Sequence, residues 1–86
     1  MSDERQQRRE HLQQFLRTLQ KPGKSVERLG DDESLVASGL IDSLALVQIV
    51  VYLEDSYGID FGERGFDPDR LASVASILDL IGEARA

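Results

Sequence analysis

Three apolar stripes recur at helical spacing along the chain, and no clear stretch alternates at the spacing of a strand. Leu12, Phe15, Leu16 and Leu19 stand at i, i+3, i+4 and i+7. So do Val74, Ile77, Leu78 and Ile81, while Leu46, Ile49, Val50, Leu53 and Tyr57 gather on one side of a central segment. Such stripes fold by burying one face of each helix against the others. With 86 residues there is material for one such core and no more. The reading is all-α: a small four-helix bundle of three main helices plus a short third one, forming a single domain over residues 1–86.

Local signals set the expected boundaries. Ser2 or Asp3 starts helix one, and Pro22-Gly23 ends it near Lys21. Residues 21–41 read as a long loop with Gly23, Gly30 and Gly39, pinned by Leu29, Leu35, Leu40 and Ile41. A loop of this length inside a compact domain is often functional. Helix two is expected to start at Asp42 or Ser43 and run to Tyr57, with Gly58 in the left-handed position after it and Ile59 as the following apolar contact. Residues 58–66 read as loop. Asp67-Pro68 opens a short third helix through Leu71, Ser73 caps the last helix, and Gly82 to Ala86 are expected to fray.

Composition removes several functions. The chain has no cysteine, so no thiolate metal site or thiol nucleophile of its own. A single histidine, His11, lies among Arg8, Arg9 and Glu10 and reads as a solvated helix residue. The net charge of −6 disfavours a nucleic-acid partner. No apolar run suits a membrane span or a signal peptide, so a cytoplasmic location is expected. Charge is uneven: residues 1–28 hold seven basic and four acidic side chains, residues 29–86 three and twelve. The acidic part either docks a basic partner or merely solvates a small domain.

Asp42-Ser43-Leu44 stands where the long loop meets helix two. Unpaired backbone N–H groups and the positive end of the helix dipole favour a phosphate group on a serine placed there. No His or Lys base lies nearby in sequence, which makes Ser43 a poor catalytic nucleophile. Taken alone, the tripeptide is better explained by plain helix capping through Asp42 and Ser43. Helix two also has more apolar residues than one buried face needs, so Leu44 and Val51 are expected at the surface, on a side shared with Gln48 and Asp55.

The stretch Leu35-Val36-Ala37-Ser38-Gly39-Leu40-Ile41-Asp42-Ser43-Leu44, followed by Val47, Ile49, Val50, Leu53, Glu54 and Gly58-Ile59, resembles the acyl carrier protein family. Chain length, acidic balance, helix order and the closing stripe agree with it. The resemblance implies 4′-phosphopantetheine attached to the serine that matches Ser43, with Asp42 as motif residue and cap, and the absence of cysteine then fits. It implies a phosphopantetheinyl transferase that brings the base, the Mg²⁺ and coenzyme A, whose β-phosphate the Ser43 hydroxyl attacks to form a phosphodiester. The chain itself is expected to catalyse nothing and to bind no metal. Its arm carries an acyl or aminoacyl thioester to partner enzymes, which dock on Leu44, Gln48, Val51, Glu54 and Asp55, with the carrier acting as a monomer.

Gly39 lies one residue further from the serine than in typical fatty-acid carriers, and Ala45, Gln48 and Val51 stand where acids or methionine are common. That pattern is more similar to stand-alone carriers loaded by an adenylate-forming ligase, including D-alanyl carriers, although loading by an acyltransferase stays open. Carriers of the family can hold an acyl chain between helices two and three; Val47, Val50, Ile59, Phe61, Phe66, Leu71 and Ile77 line such a cavity or are simply core. Other readings are a small acidic interaction module without a prosthetic group, a peptidyl or aminoacyl carrier of a synthetase system and, remotely, an enzyme using Ser43 directly. No linker is visible at either end, which favours a discrete protein.

Overall fold

The computed structural model describes residues 3–65 and 67–85. Its helices are α1 (Asp3–Leu19), α2 (Ala45–Tyr57), α3 (Phe61–Arg64) and α4 (Val74–Arg85), with 3₁₀ turns at Val26–Arg28 and Pro68–Leu71. No strand occurs among the described residues. The fold class read from the stripes holds. Leu12 and Leu16 of α1, Ile49 and Leu53 of α2, and Val74, Ile77, Leu78 and Ile81 of α4 are all buried in one cluster.

The 21–41 segment is less of a loop than its composition suggests. Val26 anchors a 3₁₀ turn in the core, a contact the sequence reading missed. Leu35, Leu40 and Ile41 are buried as expected. Backbone bonds then lace the segment down: Leu35 N donates to Ala72 O at 2.7 Å, Ala75 N to Asp31 O at 2.9 Å, and Lys21 N to Leu40 O at 2.8 Å. Arg9 grips Asp31 with Nε 3.1 and 3.0 Å from its two carboxylate oxygens. Arg5 meets Asp79 at 3.0 Å, joining α1 to α4. Part of the acidic surplus is thus paired within the chain, at its surface.

Several boundaries differ from those expected. Regular α2 begins at Ala45, because Asp42 to Leu44 form a tighter lead-in turn. Residues 58–66, read as loop, contain α3, whose first turn is capped by Asp60 accepting from Glu63 N at 3.1 Å. The expected third helix at 67–71 is a 3₁₀ turn, with Asp67 accepting from Asp69 N at 3.0 Å and Pro68 at its start. Gly82 does not fray: α4 continues through it to Arg85, held by buried Ile81 and the half-buried Ala84. Ser73 does cap α4, its Oγ accepting from Ser76 N at 3.2 Å. The Ser2 cap, Phe66 and Ala86 lie outside the described residues.

Two ends agree with expectation for clear reasons. α1 stops at Leu19, three residues before a proline that cannot donate to a helical carbonyl. α2 stops at Gly58, which takes the left-handed conformation (φ 66°) that a side chain would disfavour, while its N–H closes on Glu54 O at 3.0 Å.

Candidate functional site

The loop–α2 junction is an exposed triplet between two buried residues. Ile41 is closed into the core on one side and Ala45 on the other, while Asp42, Ser43 and Leu44 are exposed. This anchoring fixes where the triplet projects without covering it. Asp42 acts as the cap its sequence position suggests. Its Oδ1 accepts from Ala45 N at 3.1 Å, and its carbonyl oxygen shares the same N–H at 3.1 Å. Leu46 N then donates to Ser43 O and Val47 N to Leu44 O, each at 3.3 Å, in an i→i+3 turn that opens the helix.

Three features meet at Ser43. The N–H groups of Ser43 and Leu44 have no backbone acceptor among the described residues. No acidic side chain lies in the first turn of α2 itself, and the one carboxylate beside the serine, that of Asp42, is turned onto Ala45 N. The Ser43 hydroxyl makes no hydrogen bond to a described residue, so Asp42 alone does the capping and the serine is left available. A phosphodiester on that oxygen fits: it meets open space, free donors and the positive end of a helix.

The residues expected to form a partner face lie at the surface. Leu44, Gln48, Val51, Glu54 and Asp55 are all exposed, with Leu44 at 78% and Val51 at 47%. The three apolar and amide positions lie along one side of the helix, and the two acids close its far end. Val47, which the sequence reading placed with the interior cavity, belongs here instead at 63% exposed. Its place one turn beyond Ser43, between Leu44 and Val51, was the signal that could have shown this. Of the other cavity candidates, Ile59, Phe61, Leu71 and Ile77 are buried core and Val50 is half-buried.

Beside this face lies an aromatic cluster that the sequence reading did not assemble. Phe15 of α1 stacks on Tyr52 of α2 with ring centroids 4.4 Å apart, and Tyr57 meets Tyr52 edge-on at 6.2 Å. Burial first, and then neighbouring Tyr57, push the Tyr52 phenol above its ordinary range. Far from the site, Ser25 and then Arg17 hold the Glu27 carboxyl down to about 2. The bond to Asp31 raises Arg9 further above its already high value.

Residues 12–81 match the family model described as the phosphopantetheine attachment site. That is most of the chain, and the chain belongs to this family of phosphopantetheine-bearing carrier domains. Its prosthetic group is covalently attached 4′-phosphopantetheine. No curated protein and no solved structure matches the chain. The family match sets aside a module that lacks a prosthetic group. No helix among the described residues is long and apolar enough to cross a membrane.

Proposed function

We propose that the chain is an acyl or aminoacyl carrier whose phosphopantetheine is joined to Ser43. The observation that carries this is the Ser43 hydroxyl itself: exposed, unbonded, and set at the start of α2 beside a separate capping residue. When bound, the group supplies a terminal thiol on which cargo is held as a thioester. Asp42 keeps the junction rigid, so the attachment oxygen is presented in one orientation to a phosphopantetheinyl transferase. The free N–H groups and the helix end favour the phosphodiester's charge. Leu44, Val47, Gln48 and Val51 offer an apolar and amide surface, rimmed by Glu54 and Asp55, for docking enzymes.

That surface is apolar at its centre and acidic only at its far end, which favours partners with an apolar patch and few basic residues. It supports loading by an adenylate-forming acyl or aminoacyl ligase, as in D-alanyl-type carriers, over the acyltransferases of a housekeeping fatty-acid system. We place its work in the cytoplasm, as a monomer, with no nucleic-acid or membrane partner and no catalysis of its own.

The test is thioester loading of the phosphopantetheinylated protein. An adenylating ligase with its labelled acid should charge it, the label should be released by hydroxylamine, and Ser43→Ala should take up none. Charging of Ser43→Ala would overturn the assignment of Ser43. Charging by a fatty-acid malonyltransferase as readily as of that enzyme's own carrier would overturn the ligase-loaded assignment.

A further inference from the structure

We propose that the surface groove between α1 and α2 is the resting site for an apolar cargo, an aryl or medium-chain acyl group, carried on Ser43. The proposal rests on the reading of Ser43 as the attachment residue and adds where the cargo lies and what chemistry it has, narrowing a ligase-loaded cargo to an apolar acyl group rather than an alanyl one. Two overlapping hollows form the groove. One, of about 400 Å³, lies over Val47, Gln48, Val51 and Asp55. The other, of about 610 Å³, lies over His11, Gln14 and Tyr57. Both share Phe15, Tyr52 and Ser56. Each is within the size of ordinary small-molecule sites, roughly 300–1,000 Å³.

Continuity with the attachment point selects the occupant. Tyr52 is nine residues beyond Ser43, and at about 1.5 Å per helical residue that is ~14 Å along α2. A phosphopantetheine arm has fourteen bonds from serine oxygen to sulfur, and at roughly 1.2 Å per extended bond it spans ~17 Å. An arm lying over Leu44, Val47 and Val51 therefore delivers its thioester to the Phe15–Tyr52 stack. Gln48 and Ser56, both exposed, stand beside that path with groups suited to the arm's amides. Phe15 and Tyr52, stacked on each other, and half-buried Tyr57 line the groove, so the cargo meets the aromatic surface that their mutual packing leaves uncovered. The interior is packed in this structure: Ile59 is 3% exposed, and Leu71 and Ile77 are 0%, so cargo can enter there only by parting the core, whereas the groove is already open. Tethering raises the effective concentration of cargo at the groove, so even weak contacts are populated.

In the experiment a broad-specificity phosphopantetheinyl transferase with Mg²⁺ transfers octanoyl-, phenylacetyl- or acetyl-phosphopantetheine from the matching coenzyme A thioester to the full chain, breaking the pyrophosphate bond and releasing adenosine 3′,5′-bisphosphate. Intact mass and peptide mapping first establish the modification at Ser43. Proton–nitrogen correlation spectra and NOEs from the acyl protons then locate the cargo. The expected result is shifted amides over residues 47–56 and at Gln14 and Phe15, with NOEs to the Phe15 and Tyr52 rings, for the octanoyl and phenylacetyl forms only. Val51→Glu, at a solvent position the fold does not need, should abolish those NOEs. NOEs to Ile59, Leu71 or Ile77 would overturn the proposal in favour of the interior. Shifts confined to residues 42–45 would overturn it too, leaving the groove to a docking protein. Loading at Ser43 without groove contacts overturns this inference alone, whereas no modification of Ser43 overturns the reading beneath it as well.

Discussion

Replacing Asp42 separates capping from charge at the attachment point. Asp42 Oδ1 satisfies one of the N–H groups that a helix start leaves without a partner, Ala45 N at 3.1 Å. Losing such a cap costs about 0.5–2 kcal/mol. Ala45 N also has the Asp42 carbonyl at 3.1 Å, a bond that survives the substitution. The cost of Asp42→Ala should therefore sit near the middle of that range, about 1 kcal/mol. In a domain of this size that lowers Tm by about 4–8 °C. Asp42→Asn keeps an acceptor oxygen and loses only the favourable charge at the dipole's positive end, about 0.3–1 kcal/mol at low salt. Thermal melts by far-UV circular dichroism should therefore rank wild type, Asn, then Ala. Near 1 M salt, where the screening length is about 3 Å, the Asn deficit should nearly vanish while the Ala deficit persists. Equal Tm values for Asn and Ala at both salts, or an Ala variant as stable as wild type, would refute the capping account.

Ser43→Ala should leave stability within about 0.5 kcal/mol of wild type by urea titration, because its hydroxyl bonds to no described residue. Leu16→Ala, which empties a fully buried position, should cost about 2–5 kcal/mol and leave much of the protein unfolded near 40–50 °C by calorimetry, given a total stability of roughly 4–13 kcal/mol. Glu27 titrates at about 2 in the folded protein against an ordinary 4.5, so its ties to Ser25 and Arg17 are intact above pH 4.5 and lost as pH falls towards 2. A carbon-detected carboxyl titration should show that low midpoint, and it should rise only part of the way back in Arg17→Gln, where the Ser25 bond remains, and further in the Ser25→Ala, Arg17→Gln double variant. Gly58→Ala forces a side chain into φ 66° and should cost about 1–2 kcal/mol by denaturant titration.

What the sequence made readable was periodic. The stripes of α1, α2 and α4 survive in the fold because helix burial repeats every few residues, and Leu12, Ile49 and Ile77 all land in the core. Asp42 and Ser73 were readable as caps because a cap acts within its own first turn. Short elements were not. α3 holds only four residues with a glycine among them, and nothing but the Asp60 and Glu63 spacing announces it. The Pro68 turn offers the same residues as an α-helix start, yet four residues close as 3₁₀. Gly82 resembled a helix end, but packing of Ile81 and Ala84 outweighs a glycine's cost of about 1 kcal/mol. Contacts between distant residues were invisible: Arg9 and Asp31 are 22 apart, and the Phe15–Tyr52 stack joins two helices. Val47 was misplaced because an apolar residue on an over-supplied helix suits either face until its neighbours are known.

The central claim is that Ser43 is where phosphopantetheine joins the chain. Its most direct measurement is the intact mass after incubation with coenzyme A, Mg²⁺ and a broad-specificity phosphopantetheinyl transferase, followed by fragmentation of the modified peptide. The account predicts one added group per chain, on Ser43 and nowhere else. A folded, helical protein that gains no mass, or gains it on another residue, would contradict it.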